Sequence, residues 1–314
     1  METSQTSESS SELDDKRGSR ATRVPPMAGD SRILTSQVAN GTCAVCGSAA
    51  ENSAEGGQTA SFVYALGRVE PRFPSLAVEK EFAQAVGRAD TAGLTDRAAL
   101  HTLLSQRTNR YLARQLCYLL TVEGVETYLL QPRDPADIDL LVQAIRPAPR
   151  LTDVDVVIGV RGPIAPPEMC NGLMVPMVAF DQMYSFDVDA LIKSIPKAEK
   201  VSQKQFEATA EELFMRIMQM ADNAGATDEH RALNYLAVRY PAVYALAAER
   251  HTQNASLTGV EVRQSALSGV RKIVDVIFAH TNRSNDVTEK SFVRVDVTEQ
   301  FPYLVTKLSP YYDR

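Results

Sequence analysis

The stretch PPEMCNGLMVPMVAFDQMYSFD (residues 166–187) decides how the rest of the chain is arranged. It is apolar and rich in methionine, yet Asn171-Gly172 and Pro176 interrupt it, so the sequence favours neither a long helix nor a central strand here. Because such an apolar segment avoids water and irregular backbone needs hydrogen-bond partners, we expect a partly buried loop between a strand and a helix. The stretch also contains Cys170, one of only four cysteines.

The side chains of this stretch predict a packing role rather than a catalytic one. Val175, Val178 and Phe180 are expected to be largely buried. Its methionines have two interpretations, core filling or an adaptable peptide-binding surface. They are Met169, Met174, Met177 and Met183.

Composition narrows the class of protein. The chain has 314 residues, 44% of them hydrophobic, and a formal net charge of -6, which gives no hint of a nucleic acid or an anionic membrane as partner. The N-terminus has no secretory signal and no stretch approaches 18 uninterrupted apolar residues, so we expect a cytoplasmic protein. In that compartment the four cysteines are expected to be metal ligands or free thiols rather than disulfides.

The order of patterns along the chain predicts three segments. Residues 1–36 lack bulky apolar side chains and are expected to be a disordered tail, and residues 37–60 a cysteine knuckle followed by a linker. Residues 61–314 form the folded body, predicted as α+β with helices packed on an antiparallel-rich sheet. A helix is predicted from Asn109 to Val122, with Cys117 in its middle.

The strongest chemical signal is Cys43-x-x-Cys46, the spacing at which two thiolates hold one zinc from a tight turn. Two more ligands are needed, and Cys117 and Cys170 are the other cysteines of the chain. We therefore predict one structural Zn²⁺ held by Cys43, Cys46, Cys117 and Cys170. A site completed by a histidine, and no metal at all with Cys117 as a core cysteine, remain the alternatives.

Other candidate residues carry weaker signals. The four histidines are scattered without an HExxH pair, so none is assigned as a general base: His101, His230, His251 and His280. The two D-x-D pairs could hold a metal, although strand edges and helix caps explain them more simply: Asp153/Asp155 and Asp187/Asp189. No nucleophile elbow, phosphate loop or dinucleotide fingerprint is present in the sequence.

Several longer strings resemble one family. They are FVYALG (62–67), RQLC (114–117), EGVETY (123–128), the segment from Cys170 to Asp187, and DVTEQFPYLVTKLSPYY (296–312). Together they are similar to the C-terminal domain of PatA/PatG-type cyanobactin maturation proteins, over roughly residues 40–314. The resemblance implies an accessory domain in the maturation of ribosomal peptides, with cysteine-bound zinc.

Two classes of function follow from that resemblance. The first is a non-catalytic module that binds a precursor peptide or a peptide-maturation enzyme, and the second is a zinc-dependent peptide-modifying enzyme. Nothing like the G-T-S-M-A serine motif of subtilases occurs in the sequence, so proteolysis and macrocyclisation are not carried over. Four thiolates close a zinc site, whereas an enzyme needs an open position, so we favour the accessory module. The oligomeric state stays open.

Overall fold

The computed structural model describes residues 61–89, 93–195, 202–220 and 222–312. Within these residues the fold is α+β, as the sequence predicts. It has eight α-helices and two mostly antiparallel sheets, where the sequence predicted a single antiparallel-rich sheet. The predicted tail and the predicted cysteine knuckle, residues 1–60, lie outside the described residues.

The elements follow one another in a mixed order. The strands are β1 Phe62–Arg72, β2 Cys117–Val122, β3 Val125–Pro132, β4 Asp153–Ile164, β5 Pro176–Asp187, β6 Ala255–Gln264, β7 Ile273–Asn282, β8 Thr288–Asp296, β9 Tyr303–Leu304 and β10 Ser309–Tyr311. The helices are α1 Leu76–Arg88, α2 Asp96–Leu104, α3 Arg110–Ala113, α4 Ile138–Ala144, α5 Val188–Ser194, α6 Gln203–Met218, α7 Asp228–Arg239 and α8 Ala242–Thr252.

The first five strands close into a barrel in the order β1-β2-β3-β5-β4. All neighbours are antiparallel except β3 and β5, which run parallel. Strand residues alternate between the two faces, so Tyr118 and Leu120 fill the interior with Phe180. Helices α1 to α4 add their apolar faces to this interior. This strand order, with helix α4 between β3 and β4, is the connectivity of an OB-type Greek-key barrel.

The second sheet has the order β10-β8-β7-β6, with β9 also paired to β8. Helices α6 to α8 lie between this sheet and the outside of the barrel. One apolar cluster joins the three layers, for example Leu66 of β1, Leu236 of α7 and Val276 of β7. The alternating valines of β8, Val293 and Val295, face the helices as the sequence pattern predicts.

Helix α7 approaches β1 very closely. The Tyr64 amide donates to the Gly225 carbonyl at 2.9 Å, and a Cβ on Gly225 would lie 2.3 Å from the Tyr64 oxygen. Gly225 also has a φ of +71°, so both space and backbone conformation require glycine. The Asn234 side chain completes this junction by donating to the Tyr64 carbonyl at 2.9 Å while it bonds Asn223.

Helix starts agree well with the sequence. At the N-termini of four helices, the side-chain oxygen of the N-cap residue accepts a hydrogen bond from a backbone amide of the first turn. These caps are Ser75 for α1, Asp187 for α5, Ser202 for α6 and Thr227 for α7. Helix α2 is capped by Thr95, and Asp96 lies in its first turn. Among the described residues, none of the helices is both long and apolar enough to cross a membrane.

Two predictions about local structure are wrong. The helix predicted from Asn109 to Val122 is only the short α3, after which Cys117 begins strand β2. The stretch 166–187 is not a loop throughout. Its second half is the twelve-residue strand β5, whose first residue is Pro176. A proline is tolerated there because the first residue of a strand can do without an amide donor.

Candidate functional site

The candidate site is built on a disulfide between Cys117 and Cys170, whose Cα atoms are 5.9 Å apart. Cys117 begins β2 on the outer face of the barrel, beside Leu119 of the same strand and Leu129 of β3. Cys170 lies in the connection between β4 and β5, which we call the cysteine loop (residues 165–175). The bond therefore fixes the cysteine loop against the outside of the barrel.

Little else fixes the cysteine loop. Its backbone hydrogen bonds are internal: Ala165 donates to Val175, Met169 to Pro166 and Gly172 to Met169. Within the part of the chain that the structure describes, no hydrogen bond joins residues 166–174 to the rest of the molecule. Apart from the disulfide, the attachment is apolar, through side chains packed on Leu119 and Leu129. These are Ala165, Leu173 and Val175.

The loop backbone is held in a conformation that side chains disfavour. Cys170 and Asn171 both have positive φ, 47° and 58°, and Gly172 follows at 82°. Asparagine and glycine tolerate the left-handed region, but a cysteine there costs on the order of 1 kcal/mol. The surrounding loop and the bond to Cys117 therefore hold Cys170 in a disfavoured conformation.

A cavity of about 490 Å³ lies beside the disulfide, and both cysteines line it. Its walls come from β2, β3, the segments before β2 and before α4, and the cysteine loop. The remaining lining residues are Pro74, Arg114, Gln115, Leu116, Tyr118, Leu129, Leu130, Gln131, Pro132, Pro135, Ile138, Glu168 and Met169. In OB-type barrels the face of strands 2 and 3 and the β4–β5 loop are the regions that carry ligands, so this cavity lies where the fold class places its binding sites.

The polar groups of the cavity are few and mostly unpaired. Arg114 and Glu168 are exposed, and neither forms an ion pair with another described residue. Gln115 Oε1 is buried and accepts no hydrogen bond from the described chain. A buried acceptor without a donor costs free energy, but this oxygen is not open to the cavity.

The structure brings together two of the four predicted zinc ligands, Cys117 and Cys170. Cys43 and Cys46 lie outside the described residues, so the four-cysteine site stays a prediction. Zinc binds thiolates, and a cystine offers none, so the predicted zinc site would require this disulfide to be reduced. Among the described residues, no group of three or more His, Cys, Asp or Glu side chains could hold a metal.

The aspartates noted in the sequence have structural partners. Arg146 lies 3.5 Å from Asp153 and 3.0 Å from Asp155. Asp155 is fully buried, and it also accepts the Val69 amide at 2.8 Å and the Ser185 hydroxyl at 2.5 Å. Burial raises the pKa of the Asp155 carboxyl in spite of these partners. These contacts favour the structural interpretation over a metal site.

Two of the histidines meet at a second, much smaller cavity. His251 and His280 line a space of about 20 Å³ between α6, α8, β6 and β7. His280 is 3% exposed, and neither of its ring nitrogens has a hydrogen-bond partner among the described residues. Burial, followed by the nearby Arg250, lowers the pKa of His280 to about 4. The sequence showed no signal for this pair, because 29 residues separate the two positions.

The methionines divide between the two interpretations. Met183 is buried in the barrel core and Met177 is half-buried. Met169 and Met174, both in the cysteine loop, are 37% and 61% exposed. The core-filling interpretation therefore applies to β5, whereas the loop methionines are exposed, as an adaptable surface requires.

Comparison with known proteins agrees with the fold. Residues 200–311 match the family model described as PatG C-terminal. A solved structure titled "PatG Domain of Unknown Function" matches with a TM-score of 0.66 and 20% sequence identity, over 80% of this chain and 98% of that chain. Both findings support a PatG C-terminal-type domain. No curated protein matches the chain. The match to the PatG domain spans most of the described residues, whereas the family model covers the helical layer from α6 onward and the second sheet.

Proposed function

We propose that this PatG C-terminal-type domain is a non-catalytic accessory module of cyanobactin-type peptide maturation. It binds a precursor peptide or a peptide-maturation enzyme through the cavity beside Cys117 and Cys170. The single observation that carries the proposal is that cavity, because its volume of about 490 Å³ falls in the range of ligand sites. Support for the pathway comes from the likeness to the PatG C-terminal family at residues 200–311.

The walls of the cavity suit a peptide. Leu116, Leu129 and Ile138 contribute apolar surface that is favourable to cover. Exposed methionines at the mouth, such as Met169, can adapt to side chains of different shape. An extended peptide with an apolar side chain satisfies both features.

A binding experiment tests this proposal with a matched pair of variants. Gln131 is exposed on β3 and lines the cavity, whereas Gln182 is exposed on β5 and does not line it. Fluorescence anisotropy with labelled precursor peptide from the protein's own gene cluster should show binding to the wild type and to Gln182→Trp. Gln131→Trp, which fills the cavity mouth, should weaken binding roughly ten-fold or more, because it removes about 1.4 kcal/mol or more of contact. Equal affinity of all three proteins would refute the cavity as the binding site.

We further propose that the reduced form of the chain holds one structural zinc with Cys43, Cys46, Cys117 and Cys170. Support comes from the Cys43-x-x-Cys46 spacing, which is typical of a pair of thiolates that hold one zinc.

Metal analysis of the protein tests the zinc proposal. Protein purified with a reductant should contain one zinc per chain, and Cys170→Ala should lose it. Oxidised protein should contain none, because the disulfide removes two ligands. Zinc retained in the oxidised protein, or in Cys170→Ala, would place the metal elsewhere.

A second assay tests whether the protein is an enzyme instead of an accessory module. A metal-dependent mass change in a precursor peptide incubated with the protein alone would favour a zinc-dependent peptide-modifying enzyme.

A further inference from the structure

We propose that the Cys117–Cys170 disulfide is a thiol-exchange site, at which a cysteine-containing peptide held in the neighbouring cavity forms a mixed disulfide. The proposal rests on the peptide-binding function proposed above and adds a covalent step to it. The structure places the reactive bond in the wall of the cavity itself, because Cys117 and Cys170 are both lining residues.

The surroundings of the bond allow attack from the cavity. Cys117 is 8% exposed and Cys170 3%, so the more accessible partner is Cys117. Apolar walls on both sides, including Leu116 and Met169, can hold the residues that flank a peptide cysteine. Holding the peptide raises the effective concentration of its thiol at the disulfide well above that of a free thiol.

The step is balanced without an external oxidant. The peptide thiolate attacks Sγ of Cys117, a new S–S bond forms, and the bond to Cys170 breaks. The electron pair of that bond stays on Cys170 Sγ, which leaves as a thiolate and takes up the proton that the peptide thiol has lost. A second thiol can then attack the mixed disulfide, which releases the peptide as a disulfide and leaves Cys117 reduced. Arg114 lines the same cavity, three residues before Cys117. Its positive charge favours the thiolate form of a peptide cysteine held there, and the thiolate is the form that attacks.

Exchange also changes the shape of the site. Once the bond to Cys117 is cut, the cysteine loop keeps only its apolar contacts, since residues 166–174 form no hydrogen bond to the rest of the described chain. Relief of the left-handed conformation at Cys170 favours movement of the loop. Because Glu168, Met169 and Cys170 form one wall of the cavity, this movement opens it.

Two sources of thiol share this chemistry, a separate peptide and the Cys43-x-x-Cys46 segment of the chain itself. The sources are separated by working in the full chain with Cys43→Ser and Cys46→Ser, in which the disulfide under test is the only one that the cysteines can form. In the unaltered chain without added thiol, peptide mapping shows whether a Cys43–Cys46 disulfide forms at the expense of Cys117–Cys170. Such a rearrangement would identify the chain's own segment as a source.

The experiment uses the oxidised Cys43→Ser/Cys46→Ser chain and a short peptide with one cysteine between leucines. Acid-quenched intact mass should show a one-to-one adduct, mapped to Cys117, that forms at least roughly ten-fold faster than the glutathione adduct at equal thiolate concentration. Gln131→Trp should reduce the peptide's rate to that of glutathione, and Gln182→Trp should leave it unchanged. Circular dichroism confirms that both variants are folded.

The outcomes separate this inference from the function on which it rests. Equal rates for the peptide and glutathione, or no effect of Gln131→Trp, would overturn the exchange site. If the same peptide with serine in place of cysteine binds the cavity but the cysteine peptide gives no adduct, peptide binding stands and the exchange site fails. If neither peptide binds, the exchange site fails, and the proposed function is decided separately by the anisotropy measurement with the precursor peptide.

Discussion

Two irregular segments of this protein are attached to its body in opposite ways. The cysteine loop is tied by one covalent bond and apolar contacts. The turn at residues 297–300, which follows β8, is tied by the buried Arg231 of α7. That guanidinium donates to the Val297 carbonyl at 2.8 Å, to the Glu299 carbonyl, and to the Gln300 carbonyl at 3.3 Å. Arg231 is 1% exposed and also stacks over Phe62.

The difference decides which segment chemistry can release. A set of hydrogen bonds from a buried arginine has no reagent that breaks it selectively, whereas a disulfide at a cavity wall yields to any thiol that reaches it. The turn is therefore a permanent junction between α7, β8 and the start of β1. The cysteine loop is a junction that can open without unfolding the protein.

The largest effect is expected from removing the arginine of the permanent junction. Arg231→Met should lower the free energy of unfolding by about 3–5 kcal/mol, because three carbonyls lose their donor in a buried site. Arg231→Lys keeps a positive charge but not the forked guanidinium geometry, so its free energy of unfolding should lie between those of the wild type and Arg231→Met. Urea titration measures all three proteins. A loss below about 1 kcal/mol for Arg231→Met would mean that the turn is held by other contacts.

Removing the covalent junction should cost less. The double variant Cys117→Ser/Cys170→Ser should lose about 2–4 kcal/mol relative to the oxidised protein, since a disulfide that closes a loop of this length stabilises mainly through the unfolded chain. The same variant compared with reduced wild type kept metal-free by a chelator should differ little. A large difference from the metal-free reduced wild type would instead indicate that the two thiols pack as core residues.

Acid should loosen the helix–sheet region and not the cysteine loop. The pKa of His280 is lowered from 6.5 to about 4, so the unfolded chain binds a proton between these values while the folded chain does not. Above pH 6.5 His280 is neutral in both the folded and the unfolded chain and does not change the free energy of unfolding with pH. As the pH falls from 6.5 to 4, the free energy of unfolding should decrease by up to about 3 kcal/mol. His280→Leu should flatten that part of the pH profile. An unchanged slope in the variant would assign the acid sensitivity to other groups.

The smallest effect concerns the backbone of the cysteine loop. Asn171 has a φ of 58°, where alanine is less favourable by about 1 kcal/mol. Asn171→Ala should therefore destabilise the oxidised protein by about that amount, and the metal-free reduced protein by less, because a released loop can relax. Thermal unfolding of both redox forms provides the comparison. Equal losses in the two forms would show that reduction leaves the loop in place.

The sequence predicts the parts of this fold that depend on short-range patterns. Helix caps such as Ser202 and Thr227 follow from local chemistry, and the burial of Val178 and Phe180 follows from their apolar context. The class α+β and the β-rich C-terminal third follow from the spacing of apolar residues, which changes from the 3.6-residue period of helices to the two-residue period of strands. Closure of the first five strands into a barrel could not be predicted, since strand pairing depends on contacts distant in sequence.

The error at Cys117 shows where a local signal was available. Glu123 and Gly124 both have positive φ and form the two-residue turn between β2 and β3. A glycine turn between two runs of β-branched and aromatic residues is a hairpin signal, but the leucines at helical spacing outweighed it. Pairing of Cys117 with Cys170 had no local signal, because it depends on the closed barrel bringing the β4–β5 connection next to β2.

Hydrogen exchange of the cysteine loop tests the central claim most directly. In the Cys43→Ser/Cys46→Ser chain, the amides of Ala165, Met169 and Gly172 donate the loop's internal hydrogen bonds and report on its attachment. Reduction should speed their exchange at least roughly ten-fold, while amides of residues 297–300 stay unchanged. Equal protection of the cysteine loop before and after reduction would contradict the claim that the Cys117–Cys170 bond is what holds it.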